Sequence, residues 1–262
     1  MLQSQSGLHD LDLDFCTAPW RPGLLSTTIS NGSFLQVRFF RIFVYRKDLH
    51  FTNATFRRAI SRLSPKSYQE LMEVIKLGNY FTFTIVRHPL DRLISAYRDR
   101  ILDGCTDQAK LHIPAIFHLT RSNLLTLGTS VLYDKITNCI DMFPTFEEFI
   151  RYVIVNPDGD LHWMSFHQHC SPCQIEYDAI IKLETAVRDE EYVLRQSMMD
   201  QYLNLSYHHY RQGNDVQTED LRLQYFSNLT CLQFDELTKV YSKDFRLFTY
   251  DVKEFRQYCF QT

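Results

Sequence analysis

The run Tyr80–Leu102, YFTFTIVRHPLDRLISAYRDRIL, constrains the fold more than any other part of the chain. Phe81, Phe83 and Ile85 alternate with Thr82, Thr84 and Val86, the period of two expected of a strand. Pro89 follows where the first turn of a helix tolerates a missing N–H. Leu90, Leu93, Ile94, Tyr97 and Ile101 then recur at helical spacing. Strand, turn and helix in that order form the unit with which α/β proteins hold an anionic group at a helix N-terminus. Arg87, at the strand's C-terminal edge, and Ser95, inside the helix, could both reach one phosphate through a planar guanidinium fork and a hydroxyl donor.

The remaining pattern is also α/β. Ser67 to Glu70 reads as a capping box opening a helix that Gly78 and Asn79 close. Thr145 to Glu148 is a second box, ahead of Phe149, Ile150 and Val153, and Thr230 to Gln233 caps a late helix running to about Tyr241. Strands are expected over Phe39–Tyr45, Ile175–Leu183 and Phe245–Tyr250, and helices over Ala54–Leu63 and residues 186–203. Residues 103–143 read as a less regular, loop-like stretch. Strands alternating with helices predict a mostly parallel sheet flanked by helices. Residues 1–33 lack periodicity and carry Pro19, Pro22, Gly23 and Gly32; they read as a loose arm before a domain over residues 34–262.

A formal net charge of -3 gives no general attraction to nucleic acid or to an anionic membrane, so any polyanion site must be a local basic cleft. No stretch approaches the roughly 20 apolar residues of a membrane span, and the first residues, MLQSQSGLHDLDLDF, lack the regions of a signal peptide. Other features point to the secretory pathway. Asn31, Asn53, Asn204 and Asn228 each open a glycosylation acceptor triplet. The 7 cysteines would allow three disulfides and one thiol, in a pairing that the sequence leaves open.

Three ordered blocks resemble the Golgi carbohydrate sulfotransferases of the chondroitin and dermatan 4-O-sulfotransferase type. The first is Val86 to Arg100, VRHPLDRLISAYRDR, similar to the family's motif in which an Arg and a Ser eight residues later hold the cofactor's 3′-phosphate. The second runs from His162-Trp163 through Cys170-Ser-Pro-Cys173 and Tyr177-Asp178 to Lys182-Leu-Glu184-Thr185. The third spans Tyr225-Phe226 to Tyr250. The resemblance implies a P-loop-like sulfotransferase fold in the Golgi lumen. It implies sulfate transfer from 3′-phosphoadenosine 5′-phosphosulfate (PAPS) to a hydroxyl of a glycosaminoglycan or related glycan, without a metal. The family's members carry a membrane anchor, which this sequence does not display.

On this resemblance Arg87 and Ser95 bind the 3′-phosphate; the plain alternative is an arginine capping sheet carbonyls and a serine facing solvent. The upstream 5′-phosphosulfate loop has no good copy. Its place is the loop Arg46–Thr52, where Lys47 is the candidate for neutralising the leaving phosphate, helped by Thr52. That loop lacks the small residues that let backbone amides wrap a phosphate, which favours the alternative of a non-catalytic, glycan- or partner-binding relative. Arg92 and Arg98 are expected on a solvated helix face, although Arg92 could line the substrate cleft. His162 is the candidate base, with Glu184 and Asp178 as alternatives and a structural hydrogen bond as the competing role. The group His162, His167, His169, Cys170 and Cys173 could supply zinc ligands, but lacks the second ordered pair of a zinc site; pairing of either cysteine with a distant one, such as Cys105 or Cys139, is expected instead.

Overall fold

The computed structural model describes residues 67–76, 82–125, 132–170, 172–196 and 215–261. The expected strand Phe39–Tyr45, the loop with Lys47 and Thr52, the helix Ala54–Leu63 and the arm 1–33 lie outside the described residues. The described residues fall into two compact units. One lies within Met1–His88 and Phe166–Gln212, the other within Pro89–Ser165 and Gly213–Thr262.

The first unit is built on two parallel strands, β1 (Phe83–Val86) and β2 (Ala179–Lys182). The register pairs Phe83 with Ala179 and Val86 with Lys182. Alternation along β2 sends its side chains to two cores. Ala179 and Ile181 join Ile85 and pack against Ala186, Val193 and Leu194 of the helix Ala186–Gln196. Ile180 turns the other way, toward Leu71, Ile175 and Tyr177. Leu71 comes from the helix Tyr68–Lys76, whose Glu70 N–H is accepted by Ser67 Oγ at 3.1 Å. A sheet covered on both faces explains why Thr84 is as buried as its neighbours Ile85 and Val86.

The second unit is helical. Pro89–Ala96 runs on into a π-helical turn, Tyr97–Ile101. The helices Asp107–Thr120, Phe146–Val155, Asp215–Phe226 and Cys231–Val240 gather around a shared aromatic core. Tyr97, Phe146, Phe149, Phe226, Trp163 and Phe255 meet edge-on or tilted, as ring quadrupoles favour; Tyr97 and Phe146 have centroids 5.4 Å apart at 78°. Burial pushes the Tyr97 phenol up to about 12, with Tyr225 and Glu148 adding to the shift, while its hydroxyl donates to the Pro144 carbonyl at 2.7 Å.

Two disulfides close this unit, Cys105–Cys139 and Cys231–Cys259. Beside the first, a Cβ at Gly104 would lie 1.8 Å from the Ile140 carbonyl oxygen, so only glycine fits. The caps expected at Thr145/Glu148 and at Thr230/Gln233 form as full capping boxes.

Two expectations are corrected. The stretch 103–143 contains a 14-residue helix, Asp107–Thr120, entered by a Thr106 N-cap whose Oγ1 accepts the Ala109 N–H at 3.1 Å. Phe245–Tyr250 is not a strand: Ser242–Leu247 is a helix that buries Phe245 and Leu247, and Phe248 is its buried C-cap.

Candidate functional site

Parallel strands end together, and ligands of α/β sheets gather outside their C-terminal ends. In the first unit that edge is set by the pair Val86↔Lys182. Arg87 and His88 follow β1, and Leu183–Thr185 follows β2 as a 3₁₀ turn. Two cations, Arg87 and Lys182, therefore stand at one strand edge, on neighbouring strands. Burial holds the Lys182 ammonium below the usual lysine range, while Glu184 and Asp189 pull it back up. Glu184 Oε1 accepts the backbone N–H of His88 at 2.6 Å, joining the turn after β2 to the segment after β1. Thr185 Oγ1 donates to Asp189 Oδ2 at 2.5 Å and ties the same turn to the following helix.

The opposite edge is closed by Asp178. Its Oδ2 accepts the Thr82 N–H at 2.6 Å and the Thr82 hydroxyl at 2.8 Å. That carboxylate is a clamp at the N-terminal edge of β1, at the far end of the strand from Arg87.

Ser95 belongs to the second unit, where it is exposed on the helix Pro89–Ala96. Arg98 is exposed as expected, but Arg92 is half-buried and donates to the Met164 carbonyl, which removes it from the solvated face. Asp91, on the same helix, is buried and takes a two-pronged bond from Arg222, at 2.9 and 2.6 Å. Hydrogen bonding to Asp91 raises the Arg222 pKa, against the effect of burial.

His162 lies in a polar cluster of the second unit. Its ring Nδ1 donates to Asp160 Oδ1, and its backbone N–H reaches the same oxygen at 2.8 Å. Arg100, from the π-helical turn, donates to His162 Nε2 at 2.5 Å. A guanidinium has no acceptor, so Nε2 holds the lone pair and the proton sits on Nδ1. His112, buried against the edge of Trp163 with centroids 4.7 Å apart, approaches Asp160 Oδ2 at 3.3 Å. Burial alone would raise the Asp160 pKa, but the bonds from His112 and His162 outweigh it and hold the carboxyl far below the usual carboxylate range. Arg100, His112 and Asp160 carried no sequence signal of this cluster: they come from three separate segments.

The histidine- and cysteine-rich segment is a set of turns around the short helix Phe166–His169. Cys173 is disulfide-bonded and Cys170 is a buried thiol whose carbonyl accepts the Tyr177 hydroxyl at 2.7 Å. Cys105 and Cys139 bond each other, so neither pairs with this segment. Among the described residues no group of three or more His, Cys, Asp or Glu could hold a metal ion, and no helix is long and apolar enough to cross a membrane. Lys47 and Thr52 lie outside the described residues.

Comparison with known proteins covers both units. A family model described as the sulfotransferase family matches residues 36–251. Carbohydrate sulfotransferase 11 of Rattus norvegicus is 30% identical over 191 residues, which span 69% of this chain and 49% of the relative. Carbohydrate sulfotransferase 12 of Xenopus laevis is 30% identical over 218 residues, 80% of this chain and 49% of the relative. Carbohydrate sulfotransferase 10 of Gallus gallus is 28% identical over 212 residues, 76% and 54% respectively. The chain thus spans about half the length of the relatives it matches. No solved structure gives a significant match.

Proposed function

The chain belongs to the sulfotransferase family, and from that premise we propose that it transfers sulfate from PAPS to a hydroxyl of a glycosaminoglycan or related glycan in the Golgi lumen. The observation that carries this reading is the cationic edge of β1 and β2, where Lys182 ends β2 and Arg87 follows β1 inside the family match. Two cations at one strand edge suit a phosphate better than a neutral ligand. When bound, the cofactor supplies a sulfuryl group on a good leaving phosphate.

The chain's own residues then have three tasks. Arg87 and Ser95 are the proposed ligands of the 3′-phosphate, following the family's Arg and Ser spacing. Lys47 and Thr52 are proposed for the 5′ side, where charge on the leaving oxygen must be neutralised. His162 is the proposed base: its Nε2 holds a lone pair, and taking a hydroxyl proton there requires Arg100 to release that nitrogen. Asp160, on Nδ1, would then stabilise the imidazolium. The transfer needs no metal by this logic. The disulfides Cys105–Cys139 and Cys231–Cys259 support an oxidising, luminal compartment, as do the glycosylation triplets. Residues 34–262 are the proposed transferase portion.

The poor copy of the phosphosulfate loop at Arg46–Thr52 favours one second reading, a non-catalytic relative that keeps the 3′-phosphate site and binds a glycan or a protein partner. Incubation of the purified chain with radiolabelled-sulfate PAPS and a panel of glycosaminoglycans separates the two. Label in the glycan is the expected result. A folded chain that binds the nucleotide but labels no acceptor would overturn the enzyme reading in favour of the second.

A further inference from the structure

We propose that Glu184 is a positioning residue for Arg87: it fixes the direction in which the arginine leaves the strand, and through it the nucleotide phosphate. This rests on the reading that Arg87 binds that phosphate. The argument begins with where the sheet stops. The β1–β2 ladder pairs residues as far as Val86↔Lys182, one residue short of Arg87. One residue later the His88 N–H is taken by Glu184 Oε1 at 2.6 Å. Arg87 thus lies between a residue held by the ladder and a residue held by a carboxylate. Pro89 stiffens the exit further, because the residue before a proline is confined to extended conformations.

Glu184 is itself well anchored. It sits in the turn Leu183–Thr185, directly after Lys182, and Thr185 ties that turn to Asp189. A carboxylate at an edge meant for phosphate otherwise works against binding, since like charges repel. A backbone clamp accounts for its presence, and its charge also interacts favourably with Lys182. The clamp also joins residues 96 apart, tying the Arg-His-Pro segment to the Lys-Leu-Glu-Thr segment. The two blocks of sequence are in this account one device.

The rival role for Glu184 is that of proton acceptor, and substitution separates the two. Glutamine keeps an oxygen that can accept the His88 N–H but takes no proton near neutral pH. Binding of 3′-phosphoadenosine 5′-phosphate should weaken about 10-fold or more in Glu184→Ala, the range of one charge-assisted hydrogen bond. Glu184→Gln should bind the nucleotide within about 3-fold of the parent. Glu184→Asp, one methylene shorter, keeps the charge and moves the clamp, so it too should weaken binding. It serves as the readout should the alanine variant fail to fold. In an Arg87→Ala background, Glu184→Ala should add no further loss, as expected of residues acting through one another.

The failures are distinguishable. If Arg87→Ala binds the nucleotide like the parent, the reading of the site falls. If Arg87→Ala loses binding while Glu184→Ala, or Glu184→Asp in its place, binds normally, the site stands and the positioning role falls. A Glu184→Gln variant as impaired as the alanine variant would also overturn it, because charge rather than the clamp would then be the cause.

Discussion

The two units of this chain are held together by different physics. Among the described residues the first has two short strands, and its apolar clusters are small: six buried residues on one face of β2 and three on the other. Its stronger fixings are polar, with Asp178 at one end of β1 and Glu184 at the other. The second unit has one large aromatic core, two disulfides and buried ion pairs such as Asp91–Arg222. The contrast teaches a division of labour. The cationic strand edge is carried by the thinly cored unit, where polar clamps aim side chains. Among the described residues, the aromatic unit has the larger buried core.

That contrast can be broken by substitution. The largest stability effect is expected from Phe149→Ala, which empties a fully buried site among Tyr97, Phe146 and Trp163. About 3–5 kcal/mol should be lost, read as a lower denaturation midpoint. A midpoint equal to the parent's would contradict the weight given to this core.

Next comes the pair Cys105→Ser with Cys139→Ser. The bridge spans a sequence separation of 34, and its removal should cost about 3–4 kcal/mol by loop-closure entropy. Thermal melts with and without reductant check it; a melt insensitive to reductant would contradict the assignment.

The Asp160 cluster gives a pH-dependent effect of about 2 kcal/mol. Its carboxyl pKa is lowered in the folded state by His112 and His162 against burial. The stabilisation is therefore present above the unfolded value near ~3.9 and is lost as pH falls toward the lower folded value. Asp160→Asn should lower stability at pH 7 and flatten the dependence below about pH 4. Parallel curves for parent and variant would refute the assignment.

The smallest effect is a gain. Thr249 has a φ of 50°, in the left-handed region that β-branched residues avoid. Thr249→Asn should stabilise by about 1 kcal/mol in urea melts; a loss would mean that the threonine hydroxyl, which donates to the Phe248 carbonyl at 2.8 Å, matters more than the strain.

What the sequence made legible were the locally encoded parts. The alternation before Arg87, Pro89 at a helix start and the boxes at Thr145 and Thr230 all act within a few residues, and the structure contains each of them. The helix Asp107–Thr120 was hidden because Pro114 sits inside it and its apolar residues do not keep to one narrow stripe. Phe245 to Tyr250 imitated a strand because a short run rich in Phe, Leu and Tyr suits a buried strand as well as a helix. The candidate site was half legible. Arg87 and His162 can be singled out by type and motif, and their roles are proposals. The bonds that define their surroundings, Glu184 to His88 and Arg100 to His162, join residues 96 and 62 apart and leave no local trace. Asp178 and Glu184 looked alike as sequence candidates for a base, and only the register of β1 and β2 separates the two carboxylates to opposite ends of the strand.

The central claim is that the strand edge carrying Arg87 is a nucleotide phosphate site. The most direct test is calorimetric titration of the purified chain with 3′-phosphoadenosine 5′-phosphate, beside Arg87→Ala of equal thermal stability. Saturable binding by the parent, weakened about 100-fold or more in the variant, is the predicted result. Equal affinities in the two proteins, or no binding by a folded parent, would contradict it.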